Sequence, residues 1–242
     1  MTPQPETAHP DAYSRLFAWM VHGYTASGAI AAFAMAVSVL HDRYRIAFLL
    51  MIAATVIDAT DGALARLARV KAVTPSFDGA RLDDIVDYLT FVFVPALLVF
   101  QAGLLPAVWG GGVAAAMLMS SAYGFSASDA KTDDHFFTGF PSYWNIAALY
   151  LYAARLPQIV NAILLLVLSA MVFVRTRYVY PSRTPVLRGL TIALCVAWAL
   201  MMVQIVLLLP DAPMPLVAAS LFFPVYYTVL SFVLHRRQAR RP

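Results

Sequence analysis

Apolar residues occupy this chain in long blocks, and polar residues are gathered into a few short segments between them. The blocks fall at about 23–40, 46–64, 86–104, 105–125, 142–154, 158–174, 186–209 and 212–234. Most approach the roughly 20 residues that a helix needs to cross the hydrocarbon of a bilayer. Lipid offers no partner for an open backbone amide, so each block is predicted to be helical. The fifth block is short, and Arg155 and Pro157 separate it from the sixth. The pattern predicts an all-α polytopic membrane bundle of about eight transmembrane helices, falling to six or seven if the short blocks do not cross. No repeat of fixed period and no interior soluble domain interrupts it. Residues 1–242 therefore read as one membrane domain, with an N-terminal segment over 1–22, the bundle over 23–235 and a basic tail over 236–242.

Ahead of the first block, Tyr13, Leu16, Phe17 and Met20 recur at helical spacing with Trp19 beside them. That spacing predicts a short helix lying in the membrane interface. The opening residues are acidic and proline-rich, unlike the basic start and apolar core of a cleavable signal peptide.

Composition sharpens the membrane reading. The chain is 61% hydrophobic and 12% charged, against roughly 25% charged in soluble domains. Eight spans place both termini on one side, together with the connections around 65–85, 126–141 and 175–185. All but Arg43, Arg45 and Arg155 of the 17 Lys and Arg residues then lie on that side, which the distribution of basic residues marks as cytoplasmic. The net charge of +4 calls for no nucleic acid, because Arg236, Arg237, Arg240 and Arg241 of the tail suit anionic lipid. Cys195 is the only cysteine, which excludes an intramolecular disulfide and a cysteine-based metal site.

The acidic residues are unevenly spread. Six of the 13 lie between residues 58 and 87. On a helix, Asp58 and Asp61 stand at i and i+3, and Asp83 and Asp87 at i and i+4, so each pair shares a face. Two antiparallel neighbours can aim all four at one point. A charge at the centre of a span costs about 2.5–3.5 kcal/mol on insertion scales, and clustered carboxylates also repel one another. Two divalent cations relieve both effects, and an oxygen-only donor set suits Mg²⁺ or Mn²⁺ rather than zinc. Gly62 and Ala65 beside Asp61 leave room for a bulky substrate, and Arg66 can grip phosphate in bidentate fashion. Any one of these aspartates could instead pair with a base or line an ion pathway. Asp84 is turned about 100° from Asp83 and reads as solvated, as does Asp78 in the preceding loop.

Asp58-x-x-Asp61-Gly62-x-x-Ala65-Arg66, a spacer, then Gly79-x-x-x-Asp83-x-x-x-Asp87 resembles the signature of the CDP-alcohol phosphatidyltransferase family at every fixed position. The spacer, Leu67 to Asp78, has twelve residues rather than about eight, and in this it is similar to the bacterial members that use choline. The segments Phe136–Asn145 and Arg177–Pro185 look like those members too. The resemblance implies a bacterial inner-membrane enzyme, a homodimer as in its relatives, with its active site facing the cytoplasm. It would transfer a phosphatidyl group from CDP-diacylglycerol to choline and release CMP. Asp58, Asp61, Asp83 and Asp87 would hold two metal ions on the CDP pyrophosphate, and Asp87 would also take the proton of the alcohol. Asp58, Gly62, Ala65, Arg66 and Gly79 would contact or border CDP-diacylglycerol, and Thr25 resembles a family threonine near the cytidine.

Choline carries no N–H donor, so its cation is expected against an aromatic face. Tyr143, Trp144, Tyr178 and Tyr180 are the candidates, and all four could equally belong to an interfacial aromatic belt. Another alcohol acceptor (serine, glycerol phosphate or an inositol) is the nearest alternative. A cation transporter is more distant, because the blocks from 105 onward lack intramembrane acids.

Overall fold

The computed structural model describes residues 11–127, 136–179 and 186–238. Helix α1, Ala12–Leu40, starts on Asp11, whose carboxylate accepts the Ser14 backbone N–H at 3.0 Å. Such a cap satisfies one of the first-turn amides, and the Ser14 bonds hold the Asp11 carboxyl below its ordinary value. No break separates residues 22 and 23. The short interfacial helix expected ahead of the first span is therefore the opening of α1 itself. No proline interrupts 12–40, and extending a helix is far easier than nucleating a second one. Its 29 residues reach about 44 Å, two turns or more beyond the hydrocarbon thickness.

Helix α2 spans Tyr44–Leu67, and a single turn, α3, spans Val70–Val73. Helix α4, Gly79–Asp87, runs through a π-helical stretch, Tyr88–Phe93, into α5, Val94–Gln101. Pro95 has no N–H to give the preceding turn, and the ladder widens just before it. Then follow α6 (Gly110–Ser126), α7 (Trp144–Ala154), α8 (Gln158–Met171) and α9 (Arg188–Leu207). Helices α10 (Met214–Ser220) and α11 (Phe222–Gln238) are parted only by Leu221.

Every apolar block of the sequence is thus helical. Among the described residues, four helical runs are long and apolar enough to cross a membrane: Ala12–Leu40, Tyr44–Leu67, Arg188–Leu207 and Met214–Arg236. Gln158–Met171 is apolar but shorter, and the 11 residues of α7 extend only about 16 Å. The exception to an all-α chain among the described residues is a pair of three-residue strands, β1 (Phe136–Thr138) and β2 (Arg177–Val179). They pair antiparallel with Phe137 opposite Tyr178. Aromatic and β-branched residues favour such a ribbon, which ties the connection after α6 to the one after α8.

Met35, Phe48, Leu98, Met117, Trp144, Leu165 and Ile205 fill the interior. Large apolar side chains such as Ile30, Phe33, Met119 and Leu200 point outward, as a lipid-facing surface requires. At one end of the bundle the connections are fastened together. Arg45 donates to the Leu209 carbonyl, and Arg155 donates to the Pro210 carbonyl and pairs with Asp211 at 2.9 Å. Gln158 and Asn161 reach the carbonyls of Gly103 and Leu104.

Candidate active site

The carboxylates gather toward the other end. Asp58 lies in the second half of α2, about 20 Å along the helix from Arg45. Asp83 and Asp87 lie one turn apart on α4. One carboxylate oxygen from each of the three falls within 4.8 Å of the others, close to the roughly 4.2 Å between opposite ligands of one Mg²⁺. Asp58 is exposed, while Asp83 and Asp87 are half-buried. Three oxygen donors from two helices, open on one side, suit a hard divalent cation that must still accept phosphate oxygens.

The fourth aspartate stands apart from this group. Asp61 is buried, 6% exposed, and Thr25 Oγ1 donates to its Oδ2 at 3.1 Å. The structure thus links Thr25 to the site through Asp61. Beside them the Tyr24 hydroxyl meets Thr60 Oγ1 at 2.8 Å. Gly62 and Ala65 are half-buried and Arg66 is exposed. The guanidinium lies back over Gly62, where an added Cβ would sit 3.5 Å from Nη1. Asp84 falls outside the group and is half-buried rather than solvated.

Gly79 and Gly28 set how closely α4 approaches α1. A Cβ at Gly79 would lie 2.8 Å from His22 Cε1, and one at Gly28 would lie 2.5 Å from Val86 Cγ1. Neither separation is physically available to a larger residue without a shift. Two residues nearby do work that the apolar pattern did not mark. Asp78 is exposed as expected, yet it also caps α4, accepting the Arg81 N–H at 3.1 Å. An aspartate one residue before a helix is an N-cap signal. His22 is 5% exposed, and its Nε2 lies 2.9 Å from Thr74 Oγ1. A histidine at the edge of an apolar block was its only trace.

The aromatic candidates differ in access. Trp144 is 0% exposed; its indole N–H donates to Ser121 Oγ at 2.7 Å, and its ring meets Phe140 edge-on. Tyr178 is 3% exposed and packs against Tyr227 and Phe232. Tyr143, half-buried, stands at the start of α7. Its near neighbour Asn145 donates to Thr55 Oγ1 at 3.3 Å, and Thr55 lies one turn before Asp58. Tyr180 lies outside the described residues.

A phosphatidylcholine synthase of Legionella pneumophila is 48% identical over 168 residues, covering 69% of this chain and 66% of that protein. One from Legionella bozemanae is 39% identical over 203 residues, covering 81% of this chain and 94% of its relative. This chain belongs to the phosphatidylcholine synthase family. A phosphatidylcholine synthase of Rhizobium meliloti, 30% identical, aligns with 92% of both chains. No family model matches the chain. The phosphatidylcholine synthases in turn place it among the CDP-alcohol phosphatidyltransferases, transferases of phospholipid biosynthesis.

Proposed function

We propose that the chain transfers the phosphatidyl group of CDP-diacylglycerol to choline, giving phosphatidylcholine and CMP. The observation that carries this reading is the meeting of Asp58 from α2 with Asp83 and Asp87 from α4, in a chain related to phosphatidylcholine synthases. Asp58, Asp83 and Asp87 would hold Mg²⁺ or Mn²⁺, with Asp61 beside them for a second ion. When bound, the ions neutralise charge on the CDP pyrophosphate and on the departing CMP.

The rest is positioning by the protein's own groups. Choline's hydroxyl oxygen attacks the phosphorus bonded to diacylglycerol, the bond from that phosphorus to the CMP oxygen breaks, and CMP leaves. Asp87 accepts the hydroxyl proton late in the step, because a carboxylate is too weak a base to take it beforehand. Arg66, exposed at the end of α2, is placed to swing from Gly62 onto phosphate. Thr25 orients Asp61, and Gly62, Ala65 and Gly79 keep the nucleotide's surroundings narrow and free of bulk. Tyr143 has the access for the choline cation, at the level of Thr55 and Asp58; Trp144, Tyr178 and Tyr180 complete the aromatic set.

In the same reading the eight helical segments cross a bacterial inner membrane as eight spans, with both termini and the site cytoplasmic and the tail on anionic lipid. The chain works as a homodimer, as its resemblance to the family implies. The test is purified protein with CDP-diacylglycerol, a divalent metal and a panel of labelled alcohols. Labelled phosphatidylcholine and CMP form with choline. Equal turnover with serine, glycerol 3-phosphate or inositol would overturn the assignment of the acceptor.

A further inference from the structure

Helix α1 turns His22, Thr25 and Gly28 toward the acid-bearing layer, and all three are buried. Thr25 reaches Asp61, and Gly28 admits Val86 of α4. His22 reaches the connection between α2 and α4. Thr74 in that connection is 5% exposed, and its hydroxyl donates to the Val70 carbonyl at 2.9 Å. A hydroxyl has one proton to give. With that proton on the Val70 carbonyl, Thr74 Oγ1 accepts from His22 at 2.9 Å in the tautomer that carries its proton on Nε2. The imidazole is held on its flanks by Phe77, centroid 4.5 Å away, and Trp19, at 5.6 Å. Its remaining edge abuts Gly79, the first residue of α4.

We propose that His22 and Thr74 form a latch that fixes α4 lengthwise against α1, making them positioning residues for Asp83 and Asp87. Helix α4 is only nine residues long, and it continues into a π-helical stretch at its far end. Its near end hangs on the 68–78 connection. Asp83 is one turn from Gly79, so a displacement of Gly79 passes into the carboxylates with little loss. Carboxylate oxygens that must converge within 4.8 Å tolerate little such movement. The twelve-residue spacer thereby has a purpose: it is long enough to place Thr74 under His22 while Gly79 still starts α4 against the same ring.

The proposal rests on the reading of Asp58, Asp83 and Asp87 as divalent-metal ligands. The test therefore uses two measurements on detergent-purified full chain: Mn²⁺ binding by electron paramagnetic resonance, and hydrogen exchange of the 79–87 amides. Thr74→Val keeps shape and removes the hydroxyl, Thr74→Ser restores it, and His22→Phe keeps a ring without the donor. Thr74→Val weakens Mn²⁺ binding and speeds exchange across 79–87, each by roughly 3- to 10-fold, the scale of one buried hydrogen bond. Thr74→Ser matches the wild type, and the His22→Phe/Thr74→Val double variant is no worse than Thr74→Val. His22→Phe supplies the same reading if Thr74→Val does not accumulate in membranes. Unchanged binding and exchange in Thr74→Val, additive losses in the double variant, or a Thr74→Ser as impaired as Thr74→Val would each overturn the latch. Wild-type protein that binds no Mn²⁺ would remove the metal reading instead. The latch then stands or falls on exchange alone: faster 79–87 exchange in Thr74→Val supports it, and unchanged exchange overturns it.

Discussion

The two ends of the bundle hold charge in opposite ways. At the end where α1 turns into α2, two arginines are each met by a partner: Arg45 by the Leu209 carbonyl, Arg155 by the Pro210 carbonyl and Asp211. Toward the other end, Asp58, Asp83 and Asp87 are gathered within 4.8 Å of each other. Opposite charges that meet in pairs need nothing further and serve to fasten loops. Like charges brought together by two separate helices repel one another, and a divalent cation is one group that would relieve that repulsion. Charge content alone does not separate structure from chemistry in this chain. The sign of the neighbours does.

The sharpest way to break the contrast is at the acids. Asp58→Asn, Asp83→Asn, Asp87→Asn and Asp61→Asn are each expected to reduce phosphatidylcholine formation to background while the protein still inserts, as judged by its level in washed membranes. A chelator should have the same effect on the wild type, reversed by added Mg²⁺ or Mn²⁺. Wild-type turnover in any one variant would remove that aspartate from the metal set.

A smaller effect is expected from the aromatic side. Tyr143→Leu keeps apolar bulk and loses most of the ring's attraction for a quaternary ammonium, about 0.5–2 kcal/mol. The choline KM should rise by about 2- to 30-fold, with the KM for CDP-diacylglycerol nearly unchanged. A choline KM equal to the wild type's would move the cation to another face.

Smaller again is Asp84→Asn. Asp84 shares α4 with the cluster but lies outside it, so turnover should stay within a few-fold of wild type. A loss as deep as that of Asp83→Asn would mean that Asp84 faces the site.

The least is expected at the fastened end. The Arg155 and Asp211 side chains are 64% and 86% exposed, and pairs this open contribute roughly 0–1 kcal/mol. Arg155→Ala should lower the thermal midpoint in detergent slightly and leave turnover per folded molecule alone. A collapse of activity there would erase the distinction between the two ends.

Much of this contrast was legible in the sequence, for reasons specific to its chemistry. Apolar blocks specify helices in lipid almost without alternatives, so every block proved helical. The four-residue spacing kept Asp83 and Asp87 together on α4, where Asp58 meets them. The three-residue spacing of Asp58 and Asp61 did not bring Asp61 into the group. What local spacing cannot encode is contact between distant segments. Asp61 turned to Thr25 of α1, a partner 36 residues away. The pairing of Phe136–Thr138 with Arg177–Val179 likewise depends on where α7 and α8 carry the chain. Nor did the apolar pattern distinguish Trp144, sunk in the core, from Tyr143 beside it, because belt, core and site all favour the same residues.

The length and contacts of α1 have a consequence for how the protein is made. It touches α2, α3, α4, the π-helical stretch and α5, all of which follow it closely in the chain. Every carboxylate of the cluster, with the threonine, histidine and glycines that arrange them, lies between residues 22 and 87. As the polypeptide leaves the ribosome and enters the membrane from its N-terminal side, α1 is already there as a template when each acidic segment arrives. A chain arrested after residue 101 would carry the whole cluster beside the helix that organises it, with α6 to α11 still to be synthesised.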